Sequence, residues 1–295
     1  MLKQQVWLWG VAVLLISCEK AIDLNLDRVP PKLVVEATIE NDQPPQVILT
    51  RSFQYFSAVN FSDLTNTFVR GAEVEISNGQ RTHRLKEYRV EPFPGIYFFY
   101  YGIDSAQLST AFLGALKTNY TLTIRSGGEV FTARTRIPDT TRRIDSIYWK
   151  PAPVVLNDPS KVALMLRGSD KPGLGDYIQY YTKQNRDPFY PGLNSVFDDQ
   201  FIDGSSYEVQ IERGVPRGIE LEDGYSYFDR GDTVEFKLCN IDKATFDFWR
   251  TMEFSYASIG NPFSSPTRVL SNIQGNALGY FGGYAAQYRR LIIPR

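Results

Sequence analysis

The feature that most constrains the fold of this chain is the recurrence of short alternating segments separated by glycine-rich turns. Val74-Glu75-Ile76-Ser77 and Arg81-Thr82-His83-Arg84-Leu85 flank Asn78-Gly79, a pair that favours positive φ at both centres of a tight I′ hairpin turn. Tyr120-Thr121-Leu122-Thr123-Ile124 and Val130-Phe131-Thr132-Ala133-Arg134-Thr135 repeat the pattern around Ser126-Gly127-Gly128. A period of two puts alternate side chains on opposite faces, so each segment can bury one face only by pairing and stacking with others. Further strands are expected at Lys32–Ile39, Val47–Thr50, Ile144–Trp149, Lys161–Arg167, Tyr177–Thr182, Tyr207–Ile211, Thr233–Leu238 and Tyr288–Ile293. Tyr and Phe are abundant, 18 and 19 residues, and the 14% aromatic share suits strands. The fold class expected is all-β, or mainly β: an N-terminal immunoglobulin-like β-sandwich, then a β-rich domain with one amphipathic helix.

That helix is expected near 242–258. Phe248, Trp249, Met252, Tyr256 and Ile259 fall near helical spacing, Asp242 can cap the start, and Gly260-Asn261-Pro262 ends the run. The stripe reads as contact with a sheet. The segment from Phe53 to Phe68 has aromatics without alternation and is expected to be a long loop, its Tyr55-Phe56 pair engaged in ordinary packing.

The first eighteen residues carry an address. Lys3 precedes an apolar run from Val6 to Ile16, too short to span a bilayer comfortably, and Leu15-Ile16-Ser17-Cys18 closes it. This is the pattern of a lipoprotein signal, in which cleavage leaves Cys18 as the first residue and the lipid-attachment site. Each buried methylene contributes roughly 0.8 kcal/mol, so several acyl chains would hold the protein on a membrane essentially permanently. The organisation expected is therefore a signal peptide at 1–17 and a tether at 18–31 ending in Pro30-Pro31. A β-sandwich domain at 32–138 and a β-rich C-terminal domain at 139–295 follow.

Composition narrows the function classes. Removing Lys3 from the 32 Lys and Arg leaves 31 basic against 33 acidic residues, and basic pairs such as Arg142-Arg143 and Arg289-Arg290 are scattered. They read as solvated surface, and no nucleic-acid partner is expected. With Cys18 lipidated, Cys239 is the remaining thiol, so burial rather than a disulfide must hold the fold. Cys239 reads as a small core side chain. His83 is the sole histidine, which excludes two-histidine metal sites, and as a catalytic base it is a poor candidate beside a tight turn.

The glycine-dense stretch from Gly275 to Gly283 lacks the lysine ending of a phosphate loop and suits a bulged strand. Acidic clusters occur at Asp198-Asp199 with Asp203, at Glu220 with Glu222-Asp223, and at Asp229 with Asp232. Paired carboxylates across a cleft can hydrolyse glycosidic bonds, and oxygen-rich loops can bind calcium. Turn capping and solvation account for them more simply, because no Asp-x-Asp-x-Asp-Gly loop is present. Tyr225, Tyr227 and Phe228, between two of these clusters, are the candidate ligand-facing loop. No catalytic residue, metal or cofactor is assigned.

Several segments in order resemble the Bacteroidota outer-membrane lipoproteins of domain-of-unknown-function family 4249. They are Ser17-Cys18-Glu19-Lys20, Pro31-Lys32-Leu33-Val34-Val35-Glu36-Ala37, Val47-Ile48-Leu49-Thr50-Arg51-Ser52 and Gly71-Ala72-Glu73-Val74 in the first half. Asp199-Gln200-Phe201-Ile202-Asp203-Gly204, Gly231-Asp232-Thr233-Val234, Ser271-Asn272-Ile273 and Gly279-Tyr280-Phe281 continue it in the second. Ala37 stands where the family usually has glycine. The resemblance implies a protein of the outer membrane held by its N-terminal lipid, displayed at the cell surface. It further implies a non-enzymatic accessory or ligand-binding subunit of a TonB-dependent nutrient transporter, with a small-molecule, glycan or peptide ligand. The alternatives are a surface hydrolase of glycosidase type using the acidic loops, and an adhesive or structural lipoprotein.

Overall fold

Alternation of apolar residues becomes one-sided burial in the strands. In β1 (Leu33–Glu40) and β2 (Gln46–Arg51), Leu33, Val35, Ala37, Ile39, Val47 and Leu49 are buried while their neighbours face outward. The computed structural model describes residues 30–53, 65–153, 158–261, 263 and 267–295. Cys18 and the Tyr55-Phe56 pair lie outside the described residues. Pro31–Arg295 form one compact unit, and its architecture is mainly β, with sandwich-like sheets.

β3 (Glu73–Ser77) and β4 (Thr82–Phe93) form the first expected hairpin, but not through a I′ turn. Only Gly79 takes positive φ there, at 87°, and the Asn78 side chain accepts from the backbone N–H of Gln80 and Arg81 at 3.0 and 2.9 Å. The asparagine closes the turn with its own carboxamide instead of adopting left-handed backbone. In the second hairpin, β6 (Thr118–Ser126) and β7 (Glu129–Ile137) pair Ser126 with Glu129 across Gly127 and Gly128, whose φ values are 59° and 82°. The I′ requirement of positive φ at both central positions is met at this second turn. β5 (Ile96–Ile103), not expected from the sequence, returns along β4 and stacks Tyr100 on Tyr88 at 5.4 Å. Inward residues of these strands fill a first core around Val35, Ile39, Ile76, Tyr101, Leu122 and Ile124.

The second core lies between two layers. β8 (Arg143–Pro151), β9 (Lys161–Ser169), β12 (Ser206–Ile211) and the short β13 (Phe228–Asp229) form a four-stranded sheet. It packs on β10 (Tyr177–Gln184) and β14 (Thr233–Ile241) through Leu164, Leu166, Tyr180, Phe228, Phe236 and Leu238. β11 (Tyr190–Phe197) is the outermost strand beside β10. On the opposite face of the β10 and β14 layer sits helix α1 (Lys243–Ala257), capped by Asp242, whose carboxylate accepts from Thr245 N–H at 2.9 Å. Phe246 and Phe248 are buried and Trp249 and Met252 pack with them. Tyr256 and Ile259 depart from the expected stripe, at 44% and 74% exposure, and Ile259 lies beyond the last helical residue, Ala257.

The expected boundary near residue 138 coincides with the end of β7, yet the sheet runs across it. β16 (Ala277–Ile292) pairs in parallel with β1 through its first half and antiparallel with β14 through its second. This long strand explains the glycine-dense stretch. A Cβ on Gly283 would lie 2.5 Å from the carbonyl oxygen of Arg136, so glycine lets β7 cross β16 at backbone contact. Between Ile273–Gln274 (β15) and the edge of β7 a final two-residue pairing completes the order.

Candidate functional site

The two sheets of the second half do not close on each other along one side. Between the outermost strands β11 and β12 opens a cleft of about 640 Å³. Its walls follow from strand alternation. Tyr207, Val209 and Ile211 project inward from β12, while Ile178 and Tyr180 from β10 and Phe236 and Leu238 from β14 form the opposite wall. Tyr180 is held in place by Phe236 at 6.1 Å and by Phe197, stacked at 6.3 Å. Burial pushes its phenol far up, and Glu212 and Glu253 push the same way, so it stays protonated. Phe201, 96% exposed, stands at the mouth with Ile202. Asp198, Glu212 and Arg250 are charged contributors to the lining, and Arg250 lies 3.8 Å from the Asp198 carboxylate.

Arg142, which the sequence reading placed on the solvated surface, is instead 1% exposed and lines this cleft. Its backbone is fixed by residues far along the chain. Asn240 of β14 accepts from Arg142 N–H at 2.9 Å and donates to Arg142 C=O at 3.0 Å, and Gln287 of β16 donates to the same carbonyl at 2.7 Å. The guanidinium donates to the Asp198 carbonyl and faces the buried Asp170 carboxylate at 3.6 Å. Arg143, Arg289 and Arg290 are exposed, as expected. Tyr207 reaches the same region because its cross-strand partner is Gly168. A Cβ there would meet the Tyr207 hydroxyl at 2.8 Å. Burial raises the Tyr207 phenol, opposed by Arg142 and assisted by Asp170.

The acidic residues singled out in the sequence serve several purposes. Carboxylate oxygens of Asp170, Asp199 and Asp203 lie within 4.8 Å of one another, the spacing a metal ion could use. Asp199 accepts from the N–H groups of Gly175 and Asp176 at 2.8 and 2.9 Å, and Asp203 from Gly173 at 2.6 Å, so the cluster ties two loops together. Burial raises the Asp170 carboxyl although Arg142 opposes it. Asp232 accepts from Gln184, Asn185 and the backbone of Asp229, and Asp229 pairs with Lys161 at 2.8 Å. Glu220, Glu222 and Asp223 are exposed. Of the acidic residues singled out in the sequence, Asp199 and Asp232 are the buried ones in this group, and loop tying and turn capping account for both.

The aromatic loop of the sequence reading is divided. Phe228 is fully buried and pairs with Val162 in β13, so it belongs to the second core rather than to an open loop. Tyr227 is half-buried in the preceding turn. Tyr225 comes nearest to the site. Burial raises its phenol and the Glu212 carboxylate, a member of the cleft lining, raises it further.

Cys239 is fully buried against Ile241 and Phe246, and burial pushes its thiol up to about 12. His83 is 1% exposed and uses both ring nitrogens, Nε2 accepting from Asp104 N–H at 3.0 Å and Nδ1 meeting Thr110 Oγ1 at 2.8 Å. An accepting Nε2 places the proton on Nδ1, a neutral, structural arrangement. A second cavity of about 530 Å³ lies between α1 and the starts of β1 and β16, beside Trp249 and Tyr280. Among the described residues, no helix is long and apolar enough to cross a membrane.

A family model described as Domain of unknown function (DUF4249) matches residues 19–290, so the chain belongs to that family. The landmark segments from Pro31 to Phe281 fall within the match. No curated protein matches the chain.

Proposed function

We propose, with membership of this family as the premise, that the protein is a non-enzymatic binding protein of the outer membrane. In this reading lipid on Cys18 holds it at the cell surface, and the cleft between β11 and β12 captures a small nutrient molecule. A TonB-dependent transporter beside it receives that molecule. The cleft is the observation that carries the reading. Ligand sites are typically concave, largely apolar and about 300 to 1,000 Å³, with a few placed polar groups, and this one has that size and composition. The Leu15-Ile16-Ser17-Cys18 sequence supports the anchor.

The test is affinity purification of the tagged, lipidated protein from its native outer membrane in mild detergent, with mass spectrometry of what accompanies it. A transporter barrel in near-equal amount is expected. A protein that emerges alone at every detergent strength overturns the transporter role and leaves only the binding role to be examined. Cys18→Ser should release the protein from the membrane fraction, and retention of that variant would overturn the anchor.

A further inference from the structure

The chemistry of the cleft specifies the class of molecule it takes, an inference that rests on the cleft being the binding site. Arg142 and Tyr207 both line it, and each carries a buried polar atom without a hydrogen-bond partner, Nε in Arg142 and the hydroxyl in Tyr207. Asp170 Oδ1 is a third such atom, separated from Arg142 Nε by 3.6 Å, too long for a good hydrogen bond. A partnerless buried polar atom is costly, and a fold tolerates a group of them where something else completes the set.

Charge then limits what that something is. The side chains of Arg142 and Asp170 are 1% and 0% exposed, and their charges cancel. Behind Asp170 stand Asp199 and Asp203, with carboxylate oxygens within 4.8 Å. An anionic head would meet an arginine already neutralised and backed by further negative charge. A cationic head would meet Arg142 first, since Arg142 and not Asp170 lines the cleft. Either charge would be buried without a counterion. Arg142 only donates, whereas a phenol donates and accepts, so the head must offer an acceptor. Most of the remaining wall is aliphatic and aromatic, from Leu166, Ile178, Val196, Ile211, Phe236 and Leu238, and its other charged groups are engaged, Asp198 facing Arg250 at 3.8 Å and Glu212 the Tyr225 phenol.

We infer that the cleft takes an uncharged, mostly apolar molecule whose hydroxyl or carbonyl head is seated on Tyr207 and Arg142. An alcohol, ketone or amide of an aliphatic or aromatic body fits; a free carboxylate, phosphate or ammonium does not.

The experiment uses the mature chain carrying Cys18→Ser, which needs no detergent. The neutral dye N-phenyl-1-naphthylamine is the fluorescent probe, displaced in turn by decan-1-ol, decanoate and decylamine. These share one tail and differ in head charge. The alcohol is expected to displace the dye at roughly one tenth the concentration of either ion, the difference one hydrogen bond in a dry site makes. Tyr207→Phe should erase most of that advantage, bringing the alcohol to within about twofold of the ions. Val209→Trp, and separately Val209→Lys, should block dye binding by filling the mouth, with thermal melts confirming that both variants fold.

If decanoate or decylamine competes as well as the alcohol, or if Tyr207→Phe leaves the order unchanged, the ligand class is overturned while the cleft stands. If the dye fails to bind, or binds folded Val209 variants as tightly as the parent, the cleft reading itself falls and this inference with it.

Discussion

The first and second cores are both built from sheets packed on sheets, but they treat buried polar groups in opposite ways. In the first, the Tyr101 hydroxyl accepts from Ala72 N–H at 3.0 Å and lies 3.1 Å from Val69 C=O and 3.0 Å from the Glu87 carboxylate. Tyr120 accepts from Ala115 N–H at 2.7 Å, and His83 uses both nitrogens. Among the described residues, every buried side-chain polar atom without a partner lies at or beyond Arg142. A core whose polar groups are all matched is finished as a scaffold. One that leaves Arg142, Asp170 and Tyr207 unmatched beside an open cleft has polar capacity to spare, as the proposed binding role requires. Under the proposed function the contrast separates a half that holds from a half that would bind, and each of the following experiments can break it.

The largest effect is expected from cavity formation in the first core. Leu122 is fully buried among Ile76, Ile124 and Ala133. Leu122→Ala should destabilise by about 2–5 kcal/mol, because the closely packed sheets cannot collapse into the space. Val209→Ala, on the wall of the cleft and already 41% exposed, should cost less than about 1 kcal/mol. Urea denaturation of both variants checks this. Equal losses would mean that the cleft is as tightly packed as the first core, which would end the distinction.

A finer comparison removes one oxygen from each core. Tyr101→Phe leaves Ala72 N–H without its acceptor and should cost about 1–3 kcal/mol. Its phenol, pushed up to about 12 by burial first and by Glu87 second, is neutral at any working pH, so the loss is one of hydrogen bonding. Tyr207→Phe removes a hydroxyl that has no partner, and stability should stay within about 0.5 kcal/mol of the parent or rise. Melting temperatures without ligand measure both. A large loss from Tyr207→Phe would show that its hydroxyl is matched after all and would weaken the assignment of the polar head.

How much of this was legible in the sequence follows from the range of the interactions. Both hairpins, the paired β1 and β2 and the Asp242-capped helix were readable, since alternation, turn glycines and caps act within a few residues. The turn at Asn78 was misjudged because two local solutions compete, left-handed backbone or a side-chain cap, and the carboxamide prevailed. β11 was hidden by Pro191 and Gly192, which look like a breaker until Arg217 is seen donating to the Gly192 and Leu193 carbonyls. Arg142 was the largest miss. Two adjacent arginines look solvated, and what buries one of them is Asn240 and Gln287, about a hundred or more positions away. Phe228 and Tyr225, three residues apart, separate for the same reason. Pairing with Val162 takes the first into the core, while Glu212 holds the second near the cleft lining. Signals for such sites lie in tertiary pairings that no local pattern encodes.

The smallest expected effect is a pH slope to which His83 and the buried carboxyls contribute with opposite signs. Burial lowers the His83 pKa below its ordinary 6.5, with Asp104 opposing. As pH falls through 6.5 the unfolded chain takes up a proton that the folded chain refuses, so the unfolded state binds more protons and stability declines on acidification. The decline stops where the folded imidazole titrates. Asp170, Asp176 and Glu253 of the second half and Glu36 of β1 are raised, mainly by burial. Their contribution has the opposite sign, being full below the unfolded carboxyl pKa and lost as pH rises through the folded one. Urea denaturation between pH 8 and 5 should therefore show the parent losing stability toward acid relative to a variant in which residue 83 does not titrate. His83→Gln, which keeps a donor and an acceptor but does not titrate, should lessen the parent's loss toward acid or turn it into a gain, leaving the raised carboxyls to set the slope. An unchanged acid slope in His83→Gln would mean that the histidine is not held neutral, and that the first core is less completely matched than its hydrogen bonds imply.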